Sequence, residues 1–419
     1  MFREIERCRV CGNRDLVPIL SLGEQYLTGV FPSVRNAALS RGPLELVACN
    51  IASEREACGL VQLQQSYNLD EMYGENYGYR SSLNRAMVKH LQDEVHHLVE
   101  RYPLNPGDLV LDIGSNDGTL LSFYPELGVT VVGIDPTAEK FASFYRNHIS
   151  VIADFFSGDL FRERFGAKKA RIVTSIAMFY DLETPLSFMK DVVSILAEDG
   201  VWHFEMSYLP AMVRTMGYDT ICHEHLEYYS LHQIKWMTDR CGLKILDVEF
   251  NNVNGGSFAV TAAQQASTFQ PKSARIEEIL RDEKEKGLTE MMCYEDFTKQ
   301  VHAHQEELLA LLKKLKGQGK TVLGYGASTK GNVLLQFCGI TTELLPCIAE
   351  VNSDKFGCYT PGTNIPIVSE EEAHGMKPDY FLVLPWHFRD TIIQREKEYL
   401  RRGGKLIFPL PSLEVFAEP

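Results

Sequence analysis

The sequence predicts an α/β protein with an N-terminal zinc-binding domain, a central doubly wound Rossmann-like domain and a second, C-terminal Rossmann-like α/β domain. Cysteines gather before residue 60, and apolar strands alternate with helical patterns through the middle of the chain, which is typical of a parallel sheet. A strand followed by a glycine-rich turn occurs twice, near residues 108–118 and 320–332. We place the three domains at residues 1–80, 81–265 and 266–419.

The composition limits the kinds of partner that the protein can have. The chain has 419 residues, of which 45% are hydrophobic and 23% charged, and its formal net charge is −14. This charge argues against a nucleic-acid surface, because phosphate contacts need clustered Lys and Arg. No apolar run is long enough for a membrane span, and the first residues lack the apolar core of a signal peptide. We therefore expect a globular, cytoplasmic protein.

The N-terminal cysteines predict a structural zinc site. Cys8 and Cys11 form a Cys-x2-Cys knuckle, and Cys49 and Cys58 follow before residue 60. Four thiolates in a short segment can hold one Zn²⁺ and stabilise a domain with few core residues. The spacing of Cys49 and Cys58 is wider than in a usual knuckle, so a half-site with two ordinary buried thiols is the alternative.

A tyrosine-rich stretch at residues 67–79 connects this region to the central domain. Its interleaved glycines favour an exposed loop or lid that presents Tyr77 and Tyr79. A helix is predicted from about Asn84 to Arg101, and two prolines that follow shortly afterwards end it.

The central domain opens with a ligand-binding turn. An apolar strand from Asp108 ends in a turn between Gly114 and Gly118, after which a helix is predicted. A second strand ends at Asp135, about twenty residues further on, where an acid can grip a ribose diol. The turn lacks the third glycine of a dinucleotide fingerprint and resembles motif I of the S-adenosylmethionine-dependent methyltransferases.

That resemblance implies a binding site for S-adenosylmethionine. Gly114 would pass under the amino-acid moiety, Asp135 would bind the ribose hydroxyls, and Asp154 would lie near the adenine. The residues assigned to the cofactor are Asp112, Gly114, Asn116, Gly118, Asp135, Pro136, Asp154 and Phe155.

Residues 218–229 hold two histidines, two glutamates, one cysteine and three tyrosines without a clean apolar period. Predicted strands at 171–176 and 200–205 precede them, so Glu205 and this segment fall at the ligand-binding end of the sheet. His223-Glu224-His225 alternates imidazole and carboxylate, which is suited to a general base. A polar surface loop or a local metal site is the alternative.

The C-terminal domain repeats the strand–turn–helix pattern. Residues from about 276 to 317 predict a solvated amphipathic helix, and Lys320–Asn332 then forms a second glycine-rich turn. We expect this turn and two later strand ends to hold a sugar-nucleotide, although a nucleotide-type fold without a ligand is the alternative. The substrate-binding candidates in this domain are Tyr325, Ser328, Lys330, Asn332, Glu350, Lys355 and His387.

Taken in order, these features resemble the sugar C-methyltransferases that act on nucleotide-linked 4-keto-6-deoxyhexoses. The resemblance includes the Arg-Ser-Ser that closes the tyrosine-rich stretch and the run from Asn254 to Ser257. Asn254 and Ser257 are added to the substrate-binding candidates, as is Tyr180. It implies methyl transfer from S-adenosylmethionine to C3 of a dTDP- or GDP-linked sugar, with the outer domains enclosing the substrate. His225 would remove the C3 proton.

The same resemblance groups Glu224, His223 and a tyrosine from the Tyr77/Tyr79 loop with this base. A ketone beside the acidic carbon stabilises the enolate, a tyrosine hydroxyl can donate to its oxygen, and positioning supplies much of the remaining rate. No step needs a catalytic metal, so the zinc is expected to be structural.

The chain departs from the family pattern at three places. Cys222 stands where a tyrosine often precedes His-Glu-His, and residues 177–181 replace a segment that carries a histidine in some members. Tyr180 can occupy similar space there. The wide gap between Cys49 and Cys58 is the third departure.

Two other classes of function compete with this interpretation. An NAD(P)-dependent oxidoreductase acting on a sugar nucleotide would use the turn at 324–327, but that turn lacks the full fingerprint. A zinc-stabilised binding module without enzymatic activity would leave two ligand-binding turns unexplained. The sequence does not reveal the nucleotide base, the sugar stereochemistry, the substituent at C3 or the oligomeric state.

Overall fold

The structure is a computed structural model that describes residues 2–68, 72, 79–126 and 128–418. Tyr77 lies outside the described residues. None of the helices in the described part of the chain is long and apolar enough to cross a membrane.

The N-terminal region is built from short antiparallel strands. The strands are β1 (Arg3–Glu4), β2 (Leu16–Tyr26), β3 (Arg41–Cys49), β4 (Val61–Leu63) and β5 (Gln65–Ser66). β3 lies between β2 and β4, and β1 pairs with β5. Tyr67, which the sequence places in an exposed loop, is instead buried, and its hydroxyl donates to the carbonyl of Pro43.

The central region contains a seven-stranded sheet in the order β12-β13-β10-β9-β6-β7-β8. β6 to β10 run parallel, and β13 is antiparallel to both of its neighbours. The chain order reverses at β6, which lies between β7 and β9, so the ligand crevice is expected at the carboxyl ends of β6 and β9. The strands of this sheet are β6 (Leu109–Ile113), β7 (Thr130–Ile134), β8 (Ile149–Ile152), β9 (Ala170–Ile176), β10 (Leu196–Ser207), β12 (Leu243–Asn251) and β13 (Ser257–Gln264). β11 (Glu227–Tyr228) belongs to the sheet of the N-terminal region.

The helix predicted before this sheet is confirmed. Asn84 caps it by accepting hydrogen bonds from the backbone N–H groups of Ala86 and Met87, and Arg101 is its last residue. Its buried residues recur with the period of a helix, so one face packs against the sheet. The α-helices of the central region are Arg85–Arg101, Gly158–Phe165, Pro185–Ile195, Leu209–Arg214 and Leu231–Arg240.

Two helix predictions are wrong. The residues after Gly118 form only a 3-10 turn, Leu121–Phe123, because Tyr124 precedes a proline and takes an extended conformation. The region expected to form one long helix is divided into two, Ser273–Glu285 and Met291–Gly317. Gly287 separates them with a φ of +66°, a conformation that ends a helix.

The C-terminal region contains a six-stranded sheet in the order β16-β15-β14-β17-β18-β19, parallel except for β19. Its chain order reverses at β14, directly before the second glycine-rich turn. The strands are β14 (Val322–Tyr325), β15 (Ile348–Glu350), β16 (Ile367–Ser369), β17 (Tyr380–Val383), β18 (Lys405–Phe408) and β19 (Glu414–Phe416). The α-helices that follow Met291–Gly317 are Thr329–Phe337, Glu370–Gly375, Arg389–Arg395 and Lys397–Arg401. The predicted α/β fold class, with two Rossmann-like sheets, is confirmed.

Apolar clusters join the three regions. One contains Leu46 from β3, Tyr218 and Leu323 from β14, and another contains Cys58 together with Trp202 from β10. β11 leaves the central region to pair with β4, so residues 218–229 are packed among all three regions. Since the clusters cross residues 80 and 265, the domain boundaries drawn from the sequence stay predictions.

Candidate active site

Four cysteine sulfurs meet at the edge of the N-terminal region. The Sγ atoms of Cys8 and Cys58 are 3.5 Å apart, those of Cys11 and Cys49 are 3.4 Å apart, and all four lie within 4.8 Å of one another. No disulfide joins them. Four sulfurs that each lie about 2.3 Å from one tetrahedral Zn²⁺ have similar separations, so these residues fit the ion.

The sulfur cluster is part of the structural core. Cys8, Cys49 and Cys58 are buried, and the Gln233 amide donates to the carbonyl oxygens of Cys58 and Gly59. None of the four cysteines lines the large cavity described next. The sulfur cluster therefore stabilises the fold and lies outside that cavity.

A cavity of about 610 Å³ opens at the carboxyl ends of β6 and β9, where the chain order predicts a ligand. Three parts of the chain line it: the motif I turn and its neighbours, the segment with His225, and the start of the helix Thr329–Phe337. The structure brings together these residues singled out from the sequence: Tyr79, Asp112, Gly114, Asn116, Asp135, Pro136, Asp154, Phe155, Tyr180, Glu224, His225, Asn254, Ser328, Lys330 and His387.

The first turn is held in an unusual backbone conformation. Gly114 has a φ of +78°, and an added Cβ would lie 3.0 Å from Met178. Asn116 also has a positive φ, +50°, and its N–H donates to Asp135 Oδ2 at 2.8 Å. Asp135 Oδ1 accepts from the Thr137 N–H at 2.6 Å. The Asp135 carboxylate is therefore held at the cavity by backbone N–H groups that follow β6 and β7.

Asp112 lies in β6, two residues before Gly114. It is buried at the end of β6, and its carboxyl accepts a hydrogen bond from the Thr174 hydroxyl at 2.6 Å. Burial raises the pKa of Asp112 to about 7, and the nearby Asp135 adds to the rise. The contact ties together β6 and β9, the two strands that border the crevice.

Asn116 also fixes the residues that follow the tyrosine-rich stretch. Its Oδ1 accepts from the Ser81 N–H at 3.0 Å, and its Nδ2 donates to the Tyr79 carbonyl at 3.3 Å. Asp117 Oδ2 accepts from the Ser82 N–H at 3.0 Å. The motif predicts only a cofactor role for Asn116, whereas the structure shows that Asn116 also anchors this segment at the cavity.

The two histidines of His-Glu-His have different environments. His223 is fully buried, with Nδ1 3.3 Å from the Thr28 hydroxyl and Nε2 3.3 Å from the Gln25 carbonyl. Burial lowers its pKa to about 3, so it is neutral and part of the packing. His223 does not line the cavity, whereas His225 does.

His225 is oriented by the backbone. Its Nδ1 lies 2.8 Å from the Thr220 carbonyl oxygen, which can only accept, so Nδ1 carries the proton and Nε2 carries a lone pair. The Tyr180 ring packs edge-on against the imidazole at 4.5 Å. Burial lowers the pKa of His225 to about 4, and the positive charge of Lys330 adds to this effect.

Glu224 and Cys222 lie on the same wall of the cavity. The Glu224 side chain is 9% exposed, and its Oε2 has no hydrogen-bond partner among the described residues. Burial raises its pKa and favours the protonated carboxyl, which can donate a hydrogen bond. Cys222 is completely buried, and burial also raises the pKa of its thiol.

The opposite wall comes from the C-terminal region. Ser328 caps the helix Thr329–Phe337 by accepting from the Gly331 N–H at 3.0 Å, which leaves Lys330 in the first turn. Lys330 Nζ donates to the Asn254 carbonyl at 2.6 Å. Burial lowers the pKa of His387, which also lines this wall, to well below its ordinary value, and Lys330 adds to that shift.

Several other predicted residues lie outside the cavity. Gly118 contacts the Tyr145 ring, and Ser257 donates to the Val253 carbonyl at 3.0 Å. Asn332 donates to the Thr28 carbonyl at 2.7 Å and so joins two regions of the chain. These contacts are made within the protein, and they do not support the ligand roles that the sequence predicts for the three residues.

The residues expected to bind a nucleotide at β14 and β15 are also occupied. The Tyr325 hydroxyl donates to Glu396 at 2.7 Å, and Lys355 donates to the Ala327 carbonyl at 2.8 Å. Glu350 accepts from three backbone N–H groups, those of residues 327, 351 and 352. The ligand expected from the sequence therefore has no access to these side chains through the cavity.

A second group of potential metal ligands lies behind the cavity wall. His90 Nε2 is 3.0 Å from the Glu205 carboxylate, and Asn251 donates to the same carboxylate at 2.6 Å. The other ring nitrogen of His90 is 3.8 Å from Glu94. The imidazole therefore lies between two carboxylates and is hydrogen-bonded to that of Glu205, which does not reach the cavity as the sequence suggested.

Sequence reasoning missed part of the lining. Met87 and Leu91 lie on one face of the helix Arg85–Arg101, and the apolar period of that helix is the signal that marks them. Asn84, the N-cap of this helix, also lines the cavity. The other side chains come together only through the fold. The lining residues without a predicted role include Ser81, Thr137, Met178, Ser187, Asp191, Ser207, Cys222, Pro385 and Phe388.

Comparison with known proteins agrees with this architecture. Three family models match in succession: "Putative zinc binding domain" at residues 8–73, "Methyltransferase domain" at 85–248 and "C-methyltransferase C-terminal domain" at 252–411. The C-methyltransferase NovU of Streptomyces niveus is 33% identical over 420 aligned residues, which span 99% of this chain and 98% of NovU.

Solved structures of methyltransferases match part of the chain. An S-adenosylmethionine-dependent methyltransferase of Clostridium acetobutylicum has a TM-score of 0.34 and 13% identity, covering 42% of this chain and 92% of that chain. The plantazolicin methyltransferase BpumL has a TM-score of 0.33 and 12% identity, with coverage of 42% and 82%. Scores this low carry no argument about function.

The fold, the glycine turn at the switch point and the matched models define an S-adenosylmethionine-dependent methyltransferase. The chain belongs to the C-methyltransferase family. Its cofactor is S-adenosylmethionine, and the four cysteines form its zinc-binding site.

Proposed function

We propose that the protein methylates C3 of a nucleotide-diphospho-4-keto-6-deoxyhexose, with His225 as the base. The observation that carries this proposal is the orientation of His225. Its Nδ1 is bound to the Thr220 carbonyl at 2.8 Å, so the free lone pair belongs to Nε2, in the same cavity as the motif I turn. The sugar class follows from the resemblance noted in the sequence.

The cofactor end of the cavity fits S-adenosylmethionine by its chemistry. Gly114 gives backbone access, Asp135 offers a carboxylate, and Phe155 offers an exposed aromatic face near Asp154. When bound there, the cofactor supplies an electrophilic methyl group on a sulfonium. The remaining chemistry falls to the protein side chains on the opposite side of the cavity.

In the proposed reaction, His225 Nε2 takes the proton from C3, and the electron pair of the broken C–H bond moves into an enolate with the C4 ketone. That pair then forms the new bond between C3 and the methyl carbon, while the sulfur keeps the pair of the broken S–C bond. The proton leaves His225 for solvent. The base is neutral at pH 7, because burial lowers its pKa to about 4.

The C-terminal wall is proposed to hold the sugar nucleotide. Ser328, Lys330 and His387 line the cavity opposite His225, and the helix that begins at Thr329 directs its positive end toward the same space. Asn254 and Tyr180 complete the acceptor side. Tyr79 is proposed to lie over the sugar, because Asn116 anchors its carbonyl at the cavity rim.

The competing oxidoreductase lacks an acid for the ribose of a dinucleotide at the second turn. Such enzymes use a carboxylate after the second strand, which here is Glu350. Glu350 does not line the cavity, whereas Asp135 after the first turn does.

Transfer of a labelled methyl group tests the proposal. The protein is incubated with methyl-labelled S-adenosylmethionine and with dTDP-, GDP- or UDP-linked 4-keto-6-deoxyhexoses, and the label is followed into the sugar. Incorporation at C3 supports the proposal, whereas absence of transfer to every such sugar would sink it. Calorimetry with dTDP, GDP and UDP then identifies the preferred base.

A further inference from the structure

We propose that Lys330 is a catalytic residue whose ammonium group stabilises the negative charge that develops on the ketone oxygen of the acceptor. The inference rests on the proposed function and assigns a reaction role to a residue that the sequence placed at a pyrophosphate. It also gives the enolate a positively charged partner besides the tyrosine hydroxyl expected from the resemblance.

The position of Lys330 is set by three different parts of the chain. It lies in the first turn of the helix Thr329–Phe337, and its Nζ donates to the Asn254 carbonyl at 2.6 Å. It lines both the large cavity and a small adjoining cavity with Asp219 and Trp386. The ammonium group therefore lies between the acceptor side of the active site and a buried carboxylate.

Asp219 lines the small cavity together with Lys330, and its carboxylate favours the charged form of this lysine. Its side chain is 1% exposed, and its Oδ2 accepts from the Trp386 indole at 2.7 Å. Burial lowers the pKa of Lys330, and Asp219 acts in the opposite direction. A cation held in a site with little water interacts strongly with charge that forms beside it.

The ammonium group and the base line the same cavity, together with His387. The positive charge of Lys330 lowers the pKa of both imidazoles. The other charged or titratable groups lining this end are Cys222, Glu224, Tyr180 and Asp181. Lys330 is the one Lys or Arg among the described residues that line the cavity, and an unperturbed lysine is cationic at neutral pH.

The geometry separates two tasks that the reaction needs. His225 takes a proton through Nε2, and a group with positive charge must meet the oxygen that becomes negative. Burial raises the pKa of Glu224, and a carboxyl group in either form cannot supply positive charge. Lys330 supplies the charge, and its bond to the Asn254 carbonyl keeps it in place before the substrate arrives.

The experiment measures enolate formation apart from methyl transfer. The acceptor is incubated in deuterated water with S-adenosylhomocysteine, and deuterium uptake at C3 is compared with methyl transfer in the normal assay. We expect Lys330→Gln to lose about 10²-fold or more in both rates. Gln can still donate to Asn254, so loss of the charge is what changes. Lys330→Arg keeps the charge and is expected to retain more activity.

The pH profile separates this role from a structural one. Without the cation, the pKa of His225 rises, so the acid limb of kcat/KM in Lys330→Gln should move to higher pH. In Asp219→Asn the bond from Trp386 can remain, but the pKa of Lys330 falls, so the alkaline limb should move to lower pH. Lys320→Gln, which alters an exposed lysine paired with Asp379, is the matched control and should keep both limbs.

The outcomes separate the inference from the function on which it rests. Wild-type protein that neither exchanges nor methylates any 4-keto sugar nucleotide overturns the proposed function. Active wild-type protein with normal exchange in Lys330→Gln, or with unmoved limbs in both variants, overturns the role of Lys330. If Lys330→Gln fails to bind S-adenosylhomocysteine in calorimetry, the alkaline limb of Asp219→Asn decides the matter.

Discussion

The carboxylate of Glu224 packs directly against the backbone of Gly29, where an added Cβ would lie 2.2 Å from Oε1. Gly29 belongs to the N-terminal region, and Glu224 lines the large cavity. This pair shows that the outer region shapes the active site through a contact that only glycine permits. Because there is no room for a Cβ, a substitution at Gly29 tests the contact.

Replacing Gly29 with Ala should reduce turnover while the protein stays folded. The new methyl group must displace the Glu224 carboxyl, and overpacking of this kind costs about 1–3 kcal/mol. We expect kcat to fall about tenfold or more in the methyl-transfer assay. Gly375→Ala, where no atom lies within 4 Å of the added Cβ, is the control. Equal turnover in the two variants would contradict the positioning of Glu224 by Gly29.

Removing the proposed base should abolish turnover without loss of the cofactor. His225→Ala is expected to lower kcat by about 10²–10⁴-fold, the usual contribution of a general base. Binding of S-adenosylhomocysteine, measured by calorimetry, should stay close to wild type because His225 lies opposite the motif I turn. Near-normal turnover would remove His225 from the role of base.

Acid should destabilise the protein through its buried histidines. Burial lowers the pKa of His223 to about 3, compared with 6.5 for an unperturbed histidine. The folded protein therefore binds fewer protons than the unfolded chain. The contribution of His223 to the free energy of unfolding is complete above pH 6.5 and is lost as the pH falls toward 3.

Denaturant unfolding at pH 7.5 and pH 5 measures this effect. The free energy of unfolding should be lower at pH 5, by at most about 1.4 kcal/mol per pH unit for each such histidine. His223→Gln should show a smaller difference between the two pH values, whatever its stability at neutral pH. An unchanged difference would show that His223 does not contribute.

Loss of the metal should destabilise the chain rather than stop the chemistry directly. Zinc binding contributes on the order of 10 kcal/mol in small zinc domains, so even part of this amount lowers Tm measurably. Cys58→Ser should bind less zinc by metal analysis and unfold at a lower temperature. Cys293→Ser, outside the sulfur cluster, should match wild type. Full zinc content in Cys58→Ser would exclude Cys58 as a ligand.

The sequence predicts the central sheet well because its strands are apolar and separated by clear turns. The strands expected at 129–134 and 171–176 appear as Thr130–Ile134 and Ala170–Ile176. The helix after Gly118 is absent because a proline dictates the conformation of Tyr124. Similarly, the glycine at position 287 divides a helix whose amphipathic pattern continues on both sides.

The candidate site was predictable where motifs are local and unpredictable where partners are distant. The His225 segment and the motif I turn meet in one cavity, as the order of the strands implies. Glu350 has the right type and position for a ribose ligand, yet it does not line the cavity. The contacts of Asp219 with Trp386 and of Glu224 with Gly29 join residues far apart in the chain, so no spacing rule could indicate them.

The segment with His225 is fastened from outside the sheet that binds the cofactor. Thr28 contacts His223, Trp386 bonds to Asp219, and β11 pairs with β4. Exchanging the central sheet alone between relatives would thus yield a protein that holds its cofactor but presents a misdirected imidazole. For protein engineers, the unit that can be transplanted includes residues 218–229 together with the surfaces on both flanking regions that grip them.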